Sequence, residues 1–409
     1  MKQLTDFVQE HSGDDVSRLL LKRSKWPEID INLAVSCIES RKKLRNKVQE
    51  WYANPELVFP IALSAEQCSS TATGIYKSGL ADEIVANGVL ADLTGGLGVD
   101  TWFFSKKASK VFYHEMQDAL CMAAKHNFKV LHADNIRVRN IMTSVETIDD
   151  IMSEAKPDIV YMDPARRSES GKKVFLLEDC TPDVLKLTEP IFRHCRHILL
   201  KLSPMADITM LYTRLGKECR EIHIVAYKGD CKEILVWMDK EWNAGCTLKA
   251  IELPSDYPDA EPDAFVFNMD DEKHATVSYQ MDKDMRGWLF EPGKAMMKAG
   301  CFNLIASRFG LVKLGQSTHY YITDNKDKAE SLKSYGKVFH IKDIATLDKR
   351  SIKAASSAYP KSEVTARNIP MDTETFRKKL GVTSGDDAHI FGLKSDLLGN
   401  LILVAERVY

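Results

Sequence analysis

The 409-residue sequence predicts an α/β fold: a mostly parallel sheet buried on both faces and finished by a terminal antiparallel hairpin, preceded by a helical region and followed by small α+β domains. Three observations carry this. From 88 to 238, short apolar runs alternate with helix-length connections, the pattern of βαβ units. The last two runs, "EIHIVAY" and "EILVWM", are separated only by "KGDCK". A parallel crossover needs a dozen or more residues, so this pair must be an antiparallel hairpin. Outside that block, apolar positions recur at helical spacing before residue 80, and mixed strand and helix patterns resume after residue 240.

In chain order, residues 1–80 form the helical region, with "DINLAVSCIESRKKLRNKVQEWY" as its strongest period and Asp30 as an N-cap. Residues 81–240 form the sheet domain, with strands at "GVLADLT", "KVFYHE", "KVLHAD", "DIVYMD" and "HILLKLS" ahead of the hairpin. Its strand order differs from an ordinary dinucleotide fold, whose terminal strands stay parallel. Residues 241–328 hold a Pro/Asp-rich strip, "PSDYPDAEPDAF", and then a small mixed module, ferredoxin-like or an insert. Residues 329–409 form an α+β tail: strand "KVFHI", helix "DTETFRKKL" capped by Asp372, and strands "AHIFGL" and "NLILVAERV".

Composition narrows the class. A formal charge of −2 excludes a uniformly basic nucleic-acid binder, yet the charge is uneven. Ser17 to Glu50 carries nine Lys/Arg against four acids, Ser331 to Pro370 eight against three, and Pro254 to Met285 nine acids against two lysines. Such runs are commonly solvated surface, or they serve a polyanion locally. Nine scattered cysteines with no C-x-x-C argue against a zinc site or a disulfide framework and for a reducing compartment. No metal is expected. With no apolar run near ~18 residues and acids at Asp6 and Glu10, the chain reads as cytoplasmic and without a membrane partner.

The chemistry is written at the strand ends. "VLADLTGGLGVDT" follows the first strand and opens a helix; Gly95, Gly96 and Gly98 permit a sharp turn and close approach to a ligand. A dinucleotide fingerprint is G-x-G-x-x-G, whereas here Asp92 and Thr94 precede the glycines. An acid there repels a pyrophosphate but suits an ammonium group. Glu115 ends the second run, where an acid grips ribose hydroxyls, and Asp134 ends "KVLHAD", where it can accept from an exocyclic amine. Ammonium, ribose and adenine together describe S-adenosylmethionine better than a phosphate-bearing cofactor. Singly, each acid has a bland alternative as a turn former or helix cap.

From Ser64 to Asp239 the chain resembles class I S-adenosylmethionine-dependent methyltransferases: "DLTGGLG" is similar to their first motif, Glu115 to their second-strand acid, Asp134 to their adenine contact, and "DPAR" to their fourth-strand motif. "SAEQCSSTAT", "DPARR", "LLKLSP" and the tail "RNIPMDTETFRKKLGVTSGDDAHIFG" resemble a bacterial methyltransferase group with a C-terminal THUMP-like domain. That resemblance implies a Rossmann-like methyltransferase sheet and RNA, transfer or ribosomal, as partner. It places Asp163 and Pro164 where D-P-P-[YF] enzymes hold the target amine. Ala165 and Arg166 depart from that motif, so the stacking aromatic is missing; Arg166, Tyr161 or Phe175 are its substitutes. Arg166 and Arg167 either hold substrate phosphate or form surface ion pairs. Lys201 is a phosphate contact or structural, and Ser69, Ser70 and Thr71 are methionine-carboxylate contacts by resemblance or a helix cap.

One mechanism is disfavoured. Enzymes that methylate carbon 5 of pyrimidines attack with a thiolate near the fourth or fifth strand end, whereas here "KLSPM" places Ser203, grouped with the substrate contacts, at that point. Cys180 and Cys195 sit in apolar or helical contexts and read as structural. The expected chemistry is direct transfer to a base nitrogen. The competing readings are a nucleotide-dependent oxidoreductase, a small-molecule methyltransferase, and a non-catalytic RNA-binding protein that keeps the fold.

Overall fold

The structure is a computed structural model that describes residues 2–166, 177–279 and 286–408. Arg167, Phe175 and the side chain of Arg166 lie outside the described residues. The chain forms two compact units, residues 1–222 with 232–246, and residues 223–231 with 247–409.

In the first unit, six helices between Lys2 and Ile84 precede the sheet. Asp30 caps helix Ile31–Leu44 by accepting from the Leu33 N–H at 3.0 Å, as the sequence implies. One member of the basic run is structural: the Arg41 guanidinium donates to the carbonyls of Tyr52, Asn54, Pro55 and Leu57. Such a fork of fixed donors suits a cluster of backbone carbonyls at and just past a helix end. Arg18, Lys22, Arg23 and Lys25 stay exposed.

The sheet strands are β1 (Val89–Asp92), β2 (Lys110–Glu115), β3 (Ile136–Asn140), β4 (Ile159–Met162), β5 (His197–Leu202), β6 (Cys219–Tyr227) and β7 (Asp230–Asp239). Their order is β6-β7-β5-β4-β1-β2-β3. β1 is parallel to β2 and β4, β2 to β3, and β4 to β5, whereas β7 runs antiparallel to β5. The Val/Ile/Leu-rich cores of β4 and β5 are buried almost throughout, which is what helices on both faces require. The chain leaves β1 toward β2 and β3, then returns to β4 on the other side. This switch point opens a crevice at the carboxyl ends of β1 and β4.

One strand assignment is corrected. "KVLHAD" is not a strand: Lys129 and Val130 end the helix Asp118–Val130, and β3 begins only at Ile136. The expected hairpin is β6–β7; the chain then forms β8 (Thr247–Leu253) and β9 (Ala264–Asn268), which pair antiparallel with each other.

In the second unit, a mixed sheet includes β10 (Trp288–Pro292), β11 (Tyr321–Thr323), β12 (Gly336–Thr346), β13 (Lys361–Arg367), β14 (Thr383–Ser395) and β15 (Gly399–Arg407), in the order β11-β10-β12-β15-β14-β13. Asp372 caps helix Thr373–Leu380 through the Thr375 N–H at 2.7 Å, so the predicted tail elements are present. Helix Lys349–Ala358 and the parallel β13–β14 pair were not foreseen. Phe376, Ile390 and Val404 belong to the core on one side of this sheet, and Phe339, Phe391 and Leu403 to that on the other.

Candidate active site

The crevice holds a cavity of about 390 Å³, lined by residues that follow β1, β2, β3 and β4 and by the start of helix Val99–Ser105. That volume falls in the ~300–1,000 Å³ range of small-molecule sites. The glycine turn forms its floor. Gly96 (φ +54°) and Gly98 (φ +90°) adopt left-handed backbone, and a Cβ on Gly98 would lie 2.7 Å from the Phe128 ring. A Cβ on Gly95 would strike the Tyr113 ring at 2.2 Å, so this position is closed to any side chain. At Gly96 a Cβ would meet nothing nearer than 3.7 Å, leaving the backbone open to a ligand.

The strand-end acids play different parts. Glu115 faces the cavity and accepts from the N–H groups of Gly96 (3.0 Å) and Gln117 (2.8 Å), which fixes its orientation while lone pairs remain on both oxygens. Asp92 also lines the cavity, but it is buried and bound within its own chain. It accepts from the Thr94 N–H at 3.0 Å and the Thr101 hydroxyl at 2.5 Å, and burial pushes it up to about 7. Asp92 therefore ties the glycine turn to the following helix. Thr94 joins β1 to β4, its hydroxyl accepting from the Asp163 N–H at 2.6 Å.

Asp134 is corrected outright. It is exposed in the turn before β3, at the opposite end of that strand from the cavity, and does not line it. The third-strand contribution comes instead from Ile141, Met142 and Thr143, which follow β3; the Thr143 hydroxyl donates to the Leu93 carbonyl at 2.8 Å.

At the fourth strand, Asp163 follows Met162 directly, its side chain 38% exposed in the cavity wall, with Pro164 buried behind it. Lys201 on β5 donates to Asp163 Oδ2 at 2.5 Å. This lysine faces a carboxylate of its own chain and is not a free phosphate contact. Burial lowers its proton affinity, but Asp163 and Asp100 outweigh burial and hold it well above a lysine's usual range. Ser203 caps the next turn, accepting from the Met205 N–H, and does not line the cavity. Arg166 pairs through its backbone with Cys180. Tyr161 is unsuited to stacking on a base: it is buried, edge-on to Phe104 at 4.8 Å, and its hydroxyl donates to Asp100 at 2.7 Å.

Behind the cavity lies a charged chain that sequence reading missed. Lys77, fully buried, bridges both oxygens of Glu233 (2.7 and 2.8 Å) and sits 3.4 Å from Asp100 Oδ1. Lys201 lies 3.9 Å from Asp100 Oδ2, so the order is Glu233–Lys77–Asp100–Lys201–Asp163. Ser69 donates to Asp100 and accepts from Lys77, both at 3.0 Å. Ser70 is the helix cap of Thr71–Ile84, and Thr71 donates to the Lys47 carbonyl, so neither serves the cavity. Burial pushes Asp100 upward, but Lys77 and Lys201 outweigh it and hold this carboxyl below its ordinary range. Glu233 goes the other way, raised by burial. The available signal was Lys77 on the otherwise apolar and small face of its helix, with Gly74, Ser78 and Ala81.

Cys180 and Cys195 are buried, and burial pushes Cys195 up to about 11. Cys68, at the cavity wall, is likewise pushed up to about 11. Among the described residues no cluster of His, Cys, Asp and Glu is arranged for a metal, and no helix is long and apolar enough to cross a membrane.

Comparison with known proteins bears on the fold. A crystal structure from Porphyromonas gingivalis W83, described as a candidate methyltransferase, superposes with a TM-score of 0.86 at 27% identity, covering 100% of this chain and 98% of that one. Residues 336–407 match the family described as THUMP domain-like, and residues 288–329 match a ferredoxin-like domain. The chain thus shares its fold along its whole length with a candidate methyltransferase, and its C-terminal residues match a THUMP domain-like family. Part of the chain also overlaps an rRNA methylase from Streptococcus thermophilus (TM-score 0.31, 13% identity, 41% of this chain and 96% of that one). A candidate methyltransferase from Streptococcus mutans in complex with SAH overlaps similarly (TM-score 0.29, 13% identity, 40% and 95%). No curated protein matches the chain.

Proposed function

We propose that this methyltransferase-fold chain is an S-adenosylmethionine-dependent enzyme that acts on transfer or ribosomal RNA and passes a methyl group directly to a base nitrogen. The observation that supports this most is Asp163, which brings the fourth-strand acid into the same cavity as the glycine turn and Glu115. The bound cofactor supplies a methyl already activated on a sulfonium, so the chain has only to align, desolvate and deprotonate.

The residues fit that group. Glu115 retains acceptor capacity for ribose hydroxyls, and the open backbone at Gly96 admits close approach. Met116, Ile141 and Met142 offer apolar faces where a base would lie. Asp163 orients the acceptor amine, and the enclosing wall excludes water. Thiolate attack is disfavoured because burial keeps Cys68 and Cys195 protonated at neutral pH.

RNA as substrate is supported by the THUMP domain-like match and by exposed Arg18, Lys22, Arg23 and Lys25. In this reading residues 81–240 carry catalysis, 1–80 and 329–409 handle RNA, and 241–328 is the ferredoxin-like module, all in a cytoplasmic protein. The test is methyl transfer from labelled cofactor to RNA fractions that lack the modification, followed by nucleoside mass spectrometry. Transfer to a base nitrogen, abolished in Asp163→Ala, is the expected result; transfer only to small metabolites, or NAD binding in place of S-adenosylmethionine, would refute it.

A further inference from the structure

We propose that Lys201 reads the acceptor base together with Asp163, so that the substrate atom is an exocyclic amine beside a bare ring nitrogen, as in adenine or cytosine. The inference rests on the reading of this cavity as a base-methylating site.

The two side chains share one wall of the cavity, and Lys201 Nζ lies 2.5 Å from Asp163 Oδ2. Among the described residues no hydrogen bond engages Asp163 Oδ1, which remains an acceptor. An ammonium group has three donors. Asp163 takes one and Asp100, 3.9 Å away, faces another, so a third is left for a ligand. Lys201 cannot swing aside to become a diffuse phosphate contact. Asp100 holds it from behind and is itself fixed by Tyr161, Ser69 and Lys77, the last anchored on Glu233.

An acceptor and a donor side by side match a substrate edge that carries a donor and an acceptor side by side. Adenine N6 is flanked by unprotonated ring nitrogens, and cytosine N4 by N3, so the amine meets Asp163 while the ring nitrogen meets Lys201. In guanine the Watson–Crick neighbour of N2 is N1–H, which would point a donor at the ammonium, and N3 on the other side is flanked by the ribose. A site that leaves a buried donor facing a donor discriminates strongly. A ribose hydroxyl offers no paired acceptor at all.

The test uses the full chain with unmodified RNA and labelled cofactor, and identifies the product nucleoside by mass spectrometry. The wild-type product needs no variant and is expected to be methylated on adenine N6 or cytosine N4. Lys201→Met is expected to keep cofactor affinity within about twofold while kcat/KM falls about 10²-fold or more, as when a paired polar contact is removed; Lys201→Arg should recover part of that loss. Methyl on guanine N2, on a ring nitrogen or on ribose would overturn the proposal while leaving RNA methylation intact. So would wild-type rates in Lys201→Met. A wild-type protein that binds the cofactor but methylates no RNA would overturn the base-methylation reading, and this proposal with it.

Discussion

Lys77→Met removes one charge from the buried chain behind the cavity while keeping the side chain's length. In the native protein Lys77 holds both oxygens of Glu233 at 2.7 and 2.8 Å and stands 3.4 Å from Asp100. Without it, Glu233 has no other cation in contact among the described residues, and the least costly response is to bind a proton. At pH 7, neutralising a carboxyl of ordinary pKa ~4.3 takes about 2.7 pH units at ~1.36 kcal/mol each, or about 3.7 kcal/mol. Breaking a buried pair typically costs ~3–5 kcal/mol, so the two estimates agree. The pH dependence follows in sign. Burial already raises Glu233 against the pull of Lys77. In the variant the folded state therefore binds more protons than the unfolded state across neutral pH, and stability falls as pH rises. The deficit should shrink to about 1 kcal/mol at pH 5. Denaturant-dependent hydrogen exchange at peptides covering β1 and β5 reads the first unit separately from the second. Lys77→Met/Glu233→Leu should recover most of the loss, because Asp100 keeps Lys201. A deficit that is independent of pH, or no recovery in the double variant, would show that the chain is not held by these charges.

Three further outcomes are expected. Asp163→Ala should lower methyl transfer by about 10²–10³-fold, the scale of losing a positioned proton-transfer partner, with cofactor affinity by calorimetry unchanged. Gly98→Ala forces a side chain into φ +90° and against Phe128 at 2.7 Å; it should cost about 1–3 kcal/mol by thermal unfolding and weaken cofactor binding together. Replacing Arg18, Lys22, Arg23 and Lys25 with glutamine should reduce the slope of log affinity for single-stranded RNA against log salt by about 2–3, leaving cofactor affinity untouched. Equal slopes for wild type and variant would remove the N-terminal helices from the RNA-binding surface.

Much of the architecture was legible because its causes are local. β1, β2, β4 and β5 are short apolar runs between turn residues, the hairpin follows from a connection too short for a crossover, and the glycine turn announces itself by residue type. Asp92, Glu115 and Asp163 stand where the sequence puts them, at or just past the ends of β1, β2 and β4, because a strand end is a position in sequence. β3 escaped because it is an edge strand: in "IRVRN" Ile136 is buried, while Arg137, Arg139 and Asn140 are exposed. The apolar period there is weak, and the stronger nearby run, "KVLHAD", belongs to the end of a helix. An error of one element moved Asp134 to the wrong end of the sheet.

By itself, then, the sequence determined the strand-end acids, the glycine turn and the antiparallel return, each set by neighbours a few residues away. Only the tertiary structure decided what the charges do. Lys77 and Glu233 are 156 residues apart and meet because the fold brings a strand and a helix from distant parts of the chain to one buried point. Lys201, a free cation on paper, is bound to an acid 38 residues earlier. In a low-dielectric interior a charge takes its meaning from its nearest opposite charge, and that neighbour is chosen by the fold.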